Sequence, residues 1–159
     1  MDRIISMADL SPLLEEVICS GGQAELTATG RSMRPMLWDG KSKVRLAPAE
    51  CLRRGDVILY RRPSGAYVLH RITAVTETSC TCCGDAQCIL EQGVGRDCVI
   101  AKALAFTWRG GWVECANPAY GLYWRFWLAV RPVRRLVSGV YRRLRRIVGR
   151  RKDRVSDLP

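Results

Sequence analysis

Asp56-Val57-Ile58-Leu59-Tyr60-Arg61-Arg62-Pro63-Ser64-Gly65-Ala66-Tyr67-Val68-Leu69-His70-Arg71-Ile72 reads as two strands and the turn between them. β-Branched, apolar and aromatic residues fill both arms, and Arg62-Pro63-Ser64-Gly65 separates them with residues that favour a tight reversal. A hairpin of strands 56–61 and 66–76 is expected. The same alternation of short runs and turn clusters continues outward from it, predicting further strands at 23–28, 42–47, 86–91, 97–106 and 111–115. Arg109-Gly110-Gly111 joins the last two as a second hairpin. Residues 23–116 should therefore form a compact antiparallel β domain, and the fold class is mainly β.

Both flanks read as helical. Leu10, Leu13, Leu14, Val17 and Ile18 form an amphipathic stripe, with Ser11 as N-cap, Pro12 at the first helical position and Ser20-Gly21-Gly22 as the stop. Residues 1–22 are thus expected to pack a short helix, near 9–19, on the core. At the other end, Asn117-Pro118 opens a basic amphipathic region, 117–159. Leu122, Tyr123, Phe126, Trp127 and Val130 form its first stripe, and Pro132 interrupts it. Beyond that proline the apolar spacing resumes.

A chain of 159 residues, 48% hydrophobic and 26% charged, has material for one core but not two, and is too apolar to be disordered throughout. The net charge of +11 is unevenly placed: residues 1–119 carry 14 basic and 13 acidic groups, residues 120–159 carry 12 basic and 2 acidic ones. The body is nearly neutral, so the charge belongs to the tail. Eight cysteines would suit a secreted disulfide scaffold, but the first residues lack the apolar run of a signal peptide, so the thiols are read as reduced. No stretch approaches the roughly 18 apolar residues of a membrane-spanning helix.

The single histidine, His70, is the side chain best suited to move protons near neutral pH, although alone it also reads as a polar residue on the outer face of a strand. Other segments change its weight. Gly30-Arg31-Ser32-Met33-Arg34-Pro35-Met36-Leu37, Leu52-Arg53-Arg54-Gly55-Asp56-Val57-Ile58, Val68-Leu69-His70-Arg71-Ile72 and Gly84-Asp85-Ala86-Gln87 follow one another in this order. Their order and approximate spacing resemble the type I signal peptidases, in particular the endoplasmic-reticulum type in which histidine replaces the lysine base. The likeness covers about residues 28–105. It extends to small stand-alone members of the signal peptidase and LexA-like superfamily.

The resemblance implies a serine endopeptidase with Ser32 as nucleophile and His70 as its general base. A serine hydroxyl is a poor nucleophile at neutral pH without a base in hydrogen-bond reach, and the imidazolium formed on proton transfer needs an acid to orient and stabilise it. Asp85 in the Gly-Asp turn, or Glu91 just after it, would fill that role, with Asp85 slightly favoured. Met33 would lie beside the substrate, and backbone N–H groups near Ser32 would form the oxyanion hole. Many relatives carry a hydroxyl two positions before the nucleophile; here that position is Gly30, and Thr29 is the neighbouring substitute. Cys80, Cys82, Cys83 and Cys88 crowd the same turn, but their spacing is not that of paired zinc knuckles, and adjacent cysteines on a strand face opposite ways. No metal or cofactor is expected.

The tail reads as a membrane-surface element. Trp124 and Trp127 belong to an aromatic cluster, and Arg134, Arg135, Arg142, Arg143, Arg145 and Arg146 flank the apolar stripe, as in a helix lying among anionic headgroups. The expected partners are a peptide or precursor-protein substrate and an anionic membrane, with no nucleic acid. The expected location is peripheral, on the cytoplasmic side of the membrane, where the enzyme would trim a leader peptide or cut a membrane-bound precursor. A catalytically inactive peptide-binding module of the same fold is the alternative. A self-cleaving LexA-like regulator ranks below both, because no helix-turn-helix precedes the β domain.

Overall fold

The computed structural model describes residues 7–134. Helix α1 spans Met7–Cys19, and the strands follow as β1 Ala24–Thr27, β2 Lys43–Ala47, β3 Val57–Arg61, β4 Tyr67–Val75, β5 Ser79–Cys83, β6 Glu91–Gly95, β7 Val99–Trp108 and β8 Gly111–Glu114. Helix α2, Pro118–Ala129, comes last. The fold is mainly β: an antiparallel sheet of eight strands ordered β1-β2-β7-β3-β4-β5-β6, with β8 also on β7.

The decisive hairpin forms as its sequence predicts. β3 pairs with the first half of β4, from Val57 opposite Arg71 to Arg61 opposite Tyr67, and Arg62 N–H and Gly65 N–H close the turn onto Ala66 and Arg62 carbonyls. β3 is apolar without interruption because both of its faces are covered. Val57 and Leu59 enter one cluster with Leu26, Met33, Met36, Leu37, Val44, Leu46 and Tyr120, while Ile58 and Tyr60 enter a second with Ile72, Cys80, Cys82 and Val94. Fully burying a side chain such as Ile58 contributes about 1.5–3 kcal/mol. β7 is the long bent strand that joins the two halves: Lys102 pairs with Ala47 of β2 and Ile58 of β3, and Phe106 with Val44 of β2 and Val113 of β8. Its turn into β8 places Arg109 and Gly110 both at positive φ, 49° and 87°, the conformation a two-residue hairpin loop requires.

Four expectations need correction. Residues 86–91 are not a strand: Ala86 sits in the turn after β5, the chain then runs irregularly, and pairing resumes only at Glu91 in β6. β5, a Ser-Cys-Thr-Cys-Cys strand absent from the sequence reading, takes the place in the sheet. Its cysteines act as small apolar side chains, Cys80 and Cys82 entering the second cluster. Helix α1 begins at Met7, so Pro12 lies within it rather than at its first position; Leu14 and Ile18 bury in the first cluster as expected. In α2 the inward stripe is Tyr120, Tyr123, Trp124 and Trp127, whereas Leu122 and Phe126 face outward, 71% and 61% exposed. The Asn117 cap is as read, its side chain accepting from Ala119 N–H, and the helix breaks at Val130, ahead of Pro132.

Candidate active site

The topology leaves two strand edges open beside one another. β1 pairs only with β2, and residues 67–70 of β4 pair only with β3, since β5 joins β4 from Arg71 onward. Between them lies a cleft of about 210 Å³, walled by Leu26 to Gly30 on one side and by Tyr67 to His70 on the other, with Ser32, Met33, Leu37, Leu59, Arg62 and Gln87 completing it. Ser32 and His70, thirty-eight positions apart in the chain, share this cleft. No hydrogen bond joins their side chains among the described residues.

His70 is buried on β4, and its Nδ1 lies 3.2 Å from the Tyr60 hydroxyl. That hydroxyl donates to Glu91 Oε2 at 2.6 Å, while Glu91 Oε2 stands 3.7 Å from Nδ1. Arg62 holds Glu91 with two bonds, Nε to Oε1 at 2.7 Å and Nη2 to Oε2 at 2.6 Å. Burial pushes the His70 pKa down to about 4, against the attraction of Glu91, so the imidazole is neutral at pH 7. The Arg62 bonds hold the Glu91 carboxyl below its usual range, with help from the Tyr60 hydroxyl. Burial, then the bond to Glu91, raises the Tyr60 pKa, so the phenol keeps its proton.

Asp85, the other candidate acid, faces away from this pair. Its two oxygens take Arg71 Nε at 2.8 Å and Arg71 Nη2 at 2.7 Å, and both side chains are sealed from water. The Arg71 guanidinium also donates to Gly55 carbonyl, the Tyr120 hydroxyl and Met36 Sδ. The Gly-Asp turn nevertheless reaches Ser32 by its backbone. Ala86 N–H donates to Ser32 carbonyl at 2.7 Å, and a Cβ on Gly84 would lie 2.6 Å from that same oxygen, so only glycine allows the approach. Trp127 Nε1 and the Arg134 guanidinium donate to Asp85 carbonyl from the C-terminal side.

The remaining expected residues fall as follows. Thr29, Gly30 and Met33 line the cleft, and Gly30 N–H is committed to Asp39 Oδ1 at 2.9 Å. Trp124 packs over Gly55, where a Cβ would lie 2.5 Å from its ring and where φ is +100°; Arg134 stacks on Trp127, 3.9 Å from the ring centre. Three of the residues read as a lipid-facing set are thus turned onto the domain. Arg135, Arg142, Arg143, Arg145 and Arg146 lie outside the described residues. Cys83 faces the opposite way from Cys82 and donates to nearby carbonyls, all eight cysteines are free, and no cluster of three or more metal-ligating side chains occurs among the described residues. No described helix is long and apolar enough to cross a membrane.

Sequence reading missed Tyr60 and Arg62 as parts of this site. The signal was the hairpin register: His70 pairs with Ile58, so Tyr60, two residues on, shares its face of the sheet. Comparison with protein-family models, with curated proteins and with solved structures found no match.

Proposed function

We propose that the chain is a serine endopeptidase of the signal peptidase and LexA-like type, acting in the cleft between β1 and β4. The observation that carries this reading is the meeting in one cleft of Ser32 and the only histidine of the chain, buried and neutral at pH 7. Ser32 attacks a peptide carbonyl, His70 takes the hydroxyl proton and returns it to the leaving amine, and Glu91 is the acid on the imidazole side. The Ser32 N–H, which donates to no acceptor among the described residues, and the Thr29 hydroxyl supply donors for the oxyanion. The open edges of β1 and of residues 67–70 take the substrate as an added extended strand, with Met33 beside it and small side chains near the cut.

The substrate is a leader or signal peptide or a membrane-associated precursor. The outward Leu122, Phe126 and Val133, with the arginines that follow Arg134 in the sequence, hold the enzyme peripherally on an anionic membrane, on the cytoplasmic side. The purified full chain is expected to cleave members of a leader-peptide panel and to label with a fluorophosphonate, and Ser32→Ala to do neither. Equal cleavage by the two proteins removes the assignment. The second reading, a binding module without chemistry, is favoured by the missing hydrogen bond between Ser32 and His70. It requires peptide binding that survives both Ser32→Ala and His70→Ala, with no labelling of the parent chain.

A further inference from the structure

We propose that Tyr60 is a positioning residue interposed between Glu91 and His70, whose hydroxyl fixes the imidazole as the Nδ1–H tautomer and leaves Nε2 bare on the side of the cleft. Its consequence for catalysis rests on the peptidase reading, but the tautomer itself does not.

Counting protons leaves one arrangement. Glu91 takes both bonds of the Arg62 fork and is ionised, so its oxygens only accept. The Tyr60 hydroxyl has one proton, and the 2.6 Å contact to Glu91 Oε2 uses it. What remains on the phenolic oxygen is acceptor capacity, and 3.2 Å away stands His70 Nδ1. A nitrogen facing an acceptor must carry the hydrogen, so Nδ1 is the protonated nitrogen of a neutral ring. A direct bond from Nδ1 to Glu91 does not compete, because 3.7 Å is beyond hydrogen-bond range. The acid therefore acts through the phenol. A carboxylate bonded straight to Nδ1 would favour the charged imidazole; a phenol at that place orders the ring and passes on the polarity of Glu91 while a full negative charge stays one group away.

The chain contains one histidine, so a long-range proton–nitrogen correlation spectrum of the ¹⁵N-histidine-labelled full chain at pH 7 reads this ring alone. A protonated Nδ1 and an unprotonated Nε2 are expected. A ring protonated mainly on Nε2 overturns the proposal without any variant having to fold. Tyr60→Phe is expected to shift the ratio of the two tautomers at least tenfold toward Nε2–H, and an unchanged ratio also overturns it. Glu91→Gln, which keeps an oxygen acceptor for the Tyr60 hydroxyl, is expected to preserve Nδ1–H, and a reversed tautomer in that variant counts against the relay. In the same Tyr60→Phe protein, fluorophosphonate labelling of Ser32 should slow about 100-fold, against none in Ser32→Ala. If the parent chain never labels but the tautomer moves with Tyr60, the relay stands and the peptidase reading is what has failed.

Discussion

His70 and Arg71 are consecutive on β4, face opposite sides of the sheet, and each answers to its own carboxylate, yet the two pairs have opposite physical characters. Arg71 meets Asp85 directly, with two short bonds and both side chains shut away from solvent, and Gly55, Tyr120 and Met36 take its other hydrogens. The pair is closed on every side, with each guanidinium hydrogen already bonded. His70 meets Glu91 only through a phenol, and Glu91 is 29% exposed and neutralised by Arg62. That imidazole stays neutral with a nitrogen to spare. One strand thus carries a permanent clamp on one face and a neutral imidazole on the other, and what separates them is whether the acid touches the base or stands one hydroxyl away.

The largest contrast is in stability. Asp85→Ala strands the Arg71 charge in the interior and should cost about 3–5 kcal/mol in urea unfolding, because a buried ion without its partner has neither water nor counter-charge. Replacing both members, Arg71→Met with Asp85→Leu, should recover much of that loss. Glu91→Gln, at a half-open site where water screens the Arg62 pair, should cost less than about 1 kcal/mol. Similar losses for Asp85→Ala and Glu91→Gln would remove the distinction between clamp and site.

Next in size is a pH effect confined to the His70 face. The unfolded chain protonates this histidine near its ordinary 6.5, whereas the native ring refuses the proton until about pH 4. Between these values the unfolded state binds more protons, so stability rises with pH across the window and falls as the solution is acidified from 6.5 to 4. The loss attributable to His70 is on the order of 3 kcal/mol, and it levels off below pH 4. Urea midpoints measured from pH 4 to 7 for the full chain and for His70→Gln check it: the difference between the two curves should carry this slope, and parallel curves would mean that the ring is not held neutral.

How much of this was legible before the fold was known follows from what each residue needed. The β3–β4 hairpin was plain because a Pro-Ser-Gly turn between two apolar runs leaves little else for the backbone to do, and the Asn117-Pro118 cap was plain for a similar local reason. β5 and β6 were not. Ser79–Cys83 offers only thiols and hydroxyls where a strand usually shows valine or isoleucine, and Glu91–Gly95 contains two glycines; β5 pairs because β4 presents an edge to it, and β6 because β5 then presents the next one, which is information from elsewhere in the chain. The same limit applied to the acids. Asp85 and Glu91 lie close together in sequence near His70, but the strand alternation that sends residue 70 to one face and residue 71 to the other gives Asp85 to the arginine. Likewise the tryptophans of α2 looked fit for lipid because a helix stripe shows which residues share a face, not which face meets the core.

Gly84→Ala tests the backbone link from the clamp side to Ser32. The added methyl would stand 2.6 Å from Ser32 carbonyl and 3.0 Å from Ser32 Cβ, so the turn or the Ser32 loop must retreat. Overpacking of this kind costs about 1–3 kcal/mol. Fluorophosphonate labelling in a protein still fully folded should fall by more than ten-fold, since the displaced atoms are those of Ser32, the nucleophile of the proposed reaction. Labelling at the parent rate would show that the turn supports the loop without setting its geometry.

The smallest effect expected is at Trp127, and it is the one that decides whether α2 belongs with the clamp. Its indole N–H donates to Asp85 carbonyl at 2.9 Å, the oxygen of the same peptide unit whose Ala86 N–H holds Ser32, so helix, turn and Ser32 form one chain of contacts. Trp127→Phe removes that donor but leaves the Arg134 guanidinium on the same carbonyl; no acceptor is orphaned, and the cost should be near the low end for a hydrogen bond, about 0.5–1 kcal/mol. Stability alone would not distinguish a strut from a neighbour. If the helix sets the position of the turn, labelling of Ser32 in Trp127→Phe should drop two- to five-fold while the His70 nitrogen spectrum is unchanged, because the two faces of β4 are wired separately. A change in the imidazole signals comparable to that in Tyr60→Phe would mean that the clamp and the proton site act as one unit.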